Sequence, residues 1–378
     1  MEAKKYKIKK SFSIGGIIIF GSLYIIGKSQ LKLKGLYYPV FQSCLFSIGE
    51  VLCLVILLIR TKVFSQSIEK TNKYSELPEF RQNRLTRLGN YAYIISGFFE
   101  FLSNLLETVA FNILSPASIV SLKCLVTLYV LYYRFFHINR SIFRHQKLGL
   151  AVFLAGILTV IIALIVDTST SIEENRKIIC IFVMIVAEGF AAVHLVSIEY
   201  LMSVFNTAPE VVNGIKGATG IFLSILLYLP FGLIFRKYFD EFRFDEPFEQ
   251  LGSNRVFIGI LCGFIVNLTF FSYFVSKTLE FTEALTVCTV ESGWIFIIWV
   301  LGLTLKTQDI DYLQIFGGVF IILGLLIYNG VITMPWCGMK KSVKACMEQN
   351  KEYLRQRKKT QMIPNALFLT PSNKLDSL

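Results

Sequence analysis

Ten long apolar segments, none with strand-like alternation, leave this chain few folds. They lie near residues 12–30, 36–59, 91–112, 117–136, 147–166, 178–199, 212–235, 256–276, 282–304 and 312–332. A helix needs about 20 such residues to cross the hydrocarbon core of a bilayer. Inside lipid, every backbone N–H and C=O has to be satisfied within a helix or a closed barrel. Barrel strands alternate apolar and polar residues, and these runs do not. The expected fold is an all-α polytopic membrane protein with ten transmembrane helices. Charged residues make up 17% of the chain, against about 25% in soluble domains, which fits that reading.

The first segment follows a basic stretch, "KKYKIKK", as a signal peptide would. No clean small-residue cleavage site follows it, and Lys28, Lys32 and Lys34 stand where one would be needed, so a retained helix is expected. With the N-terminus in the cytoplasm, 26 Lys and Arg fall on the cytoplasmic side and nine on the other. This positive-inside bias puts both termini in the cytoplasm. It also accounts for most of the net charge of +12, so no nucleic-acid partner is needed. The eight cysteines form no CxxC pair, and most sit in apolar runs as small hydrophobes. The two sequons, at Asn139 and Asn267, fall on the cytoplasmic side and within a span, so no N-glycan is expected.

A motif recurs. Gln146, Gly149 and Gly156 match Gln314, Gly317 and Gly324 at a constant offset of 168. Five helices, a hydrophilic connection and five more follow from this. Because five is odd, the second set enters the membrane from the opposite side, giving a 5+5 inverted repeat with its site near the midplane. The expected divisions are 1–166, a connecting loop at 167–177, a second repeat at 178–335, and a basic, disordered cytoplasmic tail at 336–378. The competing reading is that small residues recur for helix packing alone.

Charges inside the spans nominate the site, since intramembrane ionisable groups face a cavity or each other. Lys123 and Glu291 are also separated by 168, so they occupy equivalent positions in the two halves. They are expected to share a central cavity and to pair when it is empty. Glu100 and Glu107 lie seven apart, on one helix face. Glu188, His194, Lys216 and Lys277 complete the charged candidates, with structural ion pairs between helices as the rival role. Lys28 and Lys277 are expected to snorkel to the interface. Trp294, near Glu291, would either stack a ring or face lipid. No GxSxG, P-loop, HExxH or Cys/His metal spacing occurs. The expectation is no enzyme, no cofactor and no metal, with transport driven by a gradient or by exchange.

The stretches "FQSCLFSIGEVLCL", "AFNILSPASIVSLKCLV", "SIEYLMSVFNTAPEVVNGIKGATG", "NLTFFSYFVSKTLEFTEALT" and "LQIFGGVFIILGLLIYNG" carry a likeness in their order and spacing. Over roughly residues 12–332 the chain resembles the F branch of solute carrier family 35, which is nucleotide-sugar-transporter-like, within the EamA-type drug/metabolite transporter superfamily. The resemblance implies ten helices in a 5+5 inverted repeat, cytoplasmic termini and alternating access. It also implies residence in an endomembrane (Golgi, endoplasmic reticulum, or a lysosome-like or vacuolar membrane). Lys123, Lys277, Glu50, Glu100, Glu199 and Glu291 stand where the branch has residues of the same charge. Trp294 replaces a Lys or Arg that helps hold phosphates in similar transporters, and Lys216 replaces a Glu. The usual residues for sugar-nucleotide recognition are therefore incomplete.

The leading expectation is a secondary transporter of a small, polar, anionic metabolite attracted by Lys123 and Lys216. A carrier of cationic or amino-acid-like solutes, using the acidic set, is the alternative. A non-transporting membrane scaffold is the third, resting on the basic tail, which could bind anionic lipid. A homodimer is compatible with the sequence.

Overall fold

The computed structural model describes residues 2–36, 38–63, 79–138, 143–166, 171–205, 207–227, 255–304, 312–332, 341–346 and 348. Among them there is no strand. The main helices are α1 (Glu2–Leu33), α2 (Pro39–Val63), α3 (Glu79–Ile113), α4 (Pro116–Lys123), α5 (Leu125–Ile138), α6 (Arg144–Val166) and α7 (Ser171–Phe205). α8 (Pro209–Leu227), α9 (Arg255–Phe281), α10 (Ala284–Ser292), α11 (Trp294–Thr304) and α12 (Tyr312–Tyr328) follow.

Among the described residues, nine helical stretches are long and apolar enough to cross a bilayer, and Tyr312–Tyr328 adds a shorter apolar helix of 17 residues. Large apolar side chains such as Ile19, Leu158, Phe182, Val300 and Phe316 cover the outside, as lipid contact requires. Several buried and half-buried hydroxyls are satisfied locally. Ser47, Thr108, Ser224, Thr269 and Ser292 each donate to the carbonyl four residues back, which hides a polar group without a second helix.

The helices pack in a definite set of pairs. α6 lies along α12, α3 along α7, α2 along α8 and α1 along α9, while α4 and α5 meet α11 and α10. The α6–α12 seam is a glycine contact. Gly149 faces Gly324 and Gly156 faces Gly317, with no side chain between the backbones. Small residues permit this close approach where dispersion and shape, rather than water exclusion, hold helices together.

Landmarks recur at the offset of 168. α3 ends at Ile113 and α9 at Phe281; the next helix is capped by Ser115 and Glu283 respectively, and starts at Pro116 and Ala284. The fourth and ninth spans are also each interrupted for one residue in mid-span, at Cys124 and Gly293, an offset of 169, one residue after Lys123 and two after Glu291. At both points the turn tightens, with Thr127 N–H donating to Cys124 O and Gly293 N–H to Val290 O, each at 3.0 Å. Tight turns of this kind in mid-helix often mark hinges.

The cap of α4 is built from its sequence. Ser115 Oγ accepts from Ser118 N–H at 3.3 Å, and Pro116 presets the first turn. Ser115→Ala should lower stability by about 0.5–2 kcal/mol, read as a lower melting temperature of the detergent-solubilised protein.

Two expectations are revised. Part of the connection drawn at 167–177 is helical, since α7 starts at Ser171. Part of the tail is ordered too. Residues 341–346 are helical, Val343 is buried, and Ser342 Oγ lies 2.8 Å from His145 Nδ1 on α6. A turn at Gly330, with φ of +70° that glycine tolerates best, leads toward this segment. The tail beyond residue 348 and the connection at 167–170 lie outside the described residues. The seven described cysteines are free thiols.

Candidate functional site

Charged side chains from seven helices converge inside the bundle. Glu107 of α3 is 2% exposed and holds two ammonium groups. Its Oε1 accepts from Lys28 Nζ of α1 at 3.1 Å, and its Oε2 accepts from Lys123 Nζ of α4 at 2.6 Å. Tyr24 OH donates to the same Oε1 at 3.4 Å. Both lysines also lie over the Tyr24 ring, at 5.1 and 5.7 Å from its centroid, a position that the ring's negative face favours.

Two turns back along α3, Glu100 anchors a second cluster. Lys216 Nζ of α8 lies 2.8 Å from Glu50 Oε1 of α2 and 2.8 Å from Glu100 Oε2. His194 of α7 brings Nε2 to 3.1 Å from Glu100 Oε1, and its Nδ1 faces the Ser96 hydroxyl at 3.2 Å. A carboxylate can only accept, so Nε2 carries the proton toward Glu100. Buried charges persist when paired and hydrogen-bonded, as these are.

A cavity lies between the clusters, with about 650 Å³ of empty space including its open mouth. Glu100, Glu107, Lys123, Glu188, His194, Lys216 and Glu291 all line it. Seven of the nine side chains singled out in the sequence thus meet at one place. Tyr24, Phe46 and Phe271 supply aromatic wall, and Ser103, Asn104 and Ser272 supply neutral polar groups. Glu188 and Glu291 have neither a hydrogen bond nor an ion pair among the described residues.

The remaining expectations differ from the structure. Lys123 and Glu291 do share the cavity, but Lys123 pairs with Glu107 rather than with Glu291. Trp294 neither faces lipid nor enters the cavity. It is 1% exposed, edge-on to Phe271 and seated against Gly21 of α1. Lys277 lies outside the cavity, in an ion pair with Glu280 one turn away. Lys28 does not snorkel; it is 3% exposed and paired with Glu107.

A third network lies nearer the face of the bundle where α5 and α7 end. Arg134, counted in the sequence as a flanking cytoplasmic charge, is buried there. Its Nη2 donates to both oxygens of Glu199, at 3.1 and 3.2 Å, and its Nη1 meets Glu283 Oε2. Glu199 Oε2 also accepts from Ala284 N–H at 2.8 Å, satisfying an otherwise free donor at the start of α10. The network ties α5, α7 and α10 together.

Sequence reasoning missed Lys28 and Arg134 as buried partners. Their positions near span ends resemble interfacial charge, and only the packing of distant helices reveals their acids.

No known family profile matches the chain. Solute carrier family 35 member F6 of Homo sapiens is 24% identical over 310 residues, covering 79% of this chain and 80% of that protein. The Rattus norvegicus protein of the same name is 26% identical over 234 residues, covering 59% and 62%. One solved structure, described as the crystal structure of a protein, aligns over 85% of this chain and 96% of its own length. Its TM-score is 0.55 at 12% identity, a likeness of fold alone. With these apolar helices, the chain is a multi-pass membrane protein similar to solute carrier family 35 member F6.

Proposed function

We propose that the protein is a secondary transporter that carries a small polar solute through the central cavity by alternating access. The observation that carries this reading is the cavity itself: charged groups from both halves of the chain line a space within the spans. Such groups are expensive in a bilayer and mark solute or ion pathways. The F6 relatives, named as solute carriers, support the same reading.

The 5+5 inverted repeat, divided at 1–166 and 178–335, belongs to this proposal. The offset of 168 supports it through the helix ends and N-cap positions it relates, as do the interruptions one residue off that offset and the pairing of α6 with α12 and of α2 with α8. Under a two-fold exchange of halves, those pairs map onto themselves, and the α3–α7 pair maps onto α9–α1. The interruptions at Cys124 and Gly293 would be hinges beside the solute. Cytoplasmic termini and an endomembrane location complete the reading, and the basic tail would lie on anionic lipid.

Lys123 and Lys216, the residues expected to attract an anion, are both held by carboxylates. Anion binding would require Glu107, or Glu50 and Glu100, to release them. The test is uptake into liposomes containing the purified full chain. The panel is nucleotide sugars, nucleotides, sugar phosphates, amino acids and organic cations. Saturable uptake of one class is expected, reduced at least about tenfold in Lys216→Ala. Uptake no faster than into protein-free liposomes for every class would overturn the proposal. A scaffold would instead lose its role when residues 349–378 are deleted, while a transporter keeps its flux.

A further inference from the structure

Charge counting around the cavity leaves a surplus. Lys28, Lys123 and Lys216 face five carboxylates: Glu50, Glu100, Glu107, Glu188 and Glu291. Even a protonated His194 would leave one carboxylate in excess. The three lysines are engaged by Glu107, Glu50 and Glu100, so the excess resides on Glu188 and Glu291.

Glu188 is 2% exposed, lines the cavity, and has no hydrogen-bond partner among the described residues. Glu291 is half-buried and lines the same cavity from α10. Both line the cavity together with Lys123 and Glu107. A buried carboxylate without a counter-charge is strongly unfavourable. An incoming cation relieves that penalty, and its attraction grows as the local dielectric falls.

We propose that Glu188 and Glu291 form the binding site for a small organic cation, a protonated amine or a quaternary ammonium. Three features favour this class over a metal ion. Tyr24, Phe46 and Phe271 stand in the wall, and the Tyr24 ring already attracts the ammonium groups of Lys28 and Lys123. Apolar side chains such as Val126 and Leu195 accompany them and suit a hydrocarbon body. No group of three His, Cys, Asp or Glu among the described residues could hold a metal. The site deepens the transport proposal and rests on it for its role as the solute site, whereas binding itself can be read without flux.

The experiment is thermal unfolding of the full chain in detergent. The probes are choline, tetraethylammonium and phenethylamine, with 3,3-dimethylbutan-1-ol as the uncharged isostere of choline. The wild-type protein is compared with Glu188→Gln, Glu291→Gln and the control Glu280→Gln, whose carboxylate lies outside the cavity. Glutamine keeps the shape and removes the unpaired charge, so the unliganded variants should melt no lower than wild type. At least one cation should raise the melting temperature of wild type and of Glu280→Gln, while the neutral alcohol does not. Its apparent dissociation constant should rise at least about tenfold in each cavity variant. No shift from any cation in wild type overturns the site, as does an equal shift in both cavity variants. A cation that binds but is never taken up into liposomes removes the transport proposal and leaves the site. Anion uptake without cation binding does the reverse.

Discussion

Glu107→Ala should be among the most damaging single substitutions in this protein, lowering stability by about 3–5 kcal/mol. The reason is that one carboxylate compensates both the buried ammonium group of Lys28 and the half-buried one of Lys123. Lys28 is 3% exposed. Lys123 lies at the interruption between α4 and α5, in mid-span. With Glu107 gone, both would have to lose a proton or drag water inward, and the Tyr24 hydroxyl would lose its acceptor. The measurement is the melting temperature and monodisperse yield of the detergent-solubilised variant. A triple variant, Glu107→Ala with Lys28→Met and Lys123→Met, should recover most of the loss. It removes the stranded charges and fills their volume with an unbranched apolar chain. A single variant as stable as wild type would mean that water already reaches these lysines freely.

Gly156→Val is the second large effect. A Cβ built on Gly156 lies 2.7 Å from Gly317 O and 2.6 Å from Ile321 N. Both are backbone atoms of α12, so no side chain can rotate away and the two helices have to separate. Overpacking of cores typically destabilises by about 1–3 kcal/mol, and a rigid backbone contact falls at the top of that range or beyond it. Gly263→Ala provides the contrast, because a Cβ at that position meets nothing within 4 Å. Melting temperatures of the two variants in one detergent would check the seam: Gly156→Val should fall well below wild type and Gly263→Ala should match it. Equal stability would mean that α6 and α12 do not touch at their glycines.

Features set by one helix at a time were legible in the sequence. Apolar runs located the spans, and seven-residue spacing put Glu100 and Glu107 on one face. The glycine motif identified the residues that later proved to face each other across α6 and α12. The cavity's occupants were legible too, because a charge in mid-membrane has few places to go. Partnership was not. Lys123 and Glu291 are equivalent by offset, yet Glu107 sits closer to the ammonium group because α3 packs beside α4. Trp294 read as an available ring, but Gly21 on α1 opens a slot that fills with its indole. Both outcomes depend on which helices become neighbours, and no local spacing records that.

The Arg134 network has a consequence for how such a bundle would move. Its counterparts at the offset of 168 are Gly302 for Arg134, Leu31 for Glu199 and Ser115 for Glu283. Under the proposed inverted repeat, one face is latched by a guanidinium between two carboxylates, and the other carries a glycine, a leucine and a serine at the same stations. Two doors built on one frame have been given different locks. In the transport cycle proposed above, the ground state of the empty protein stays shut at the Arg134 door. Opening it means breaking charge-assisted hydrogen bonds between a guanidinium and two carboxylates, which the Gly302, Leu31 and Ser115 stations cannot form. The return journey of the unloaded protein, rather than its loaded passage, would then be the slow half of each cycle.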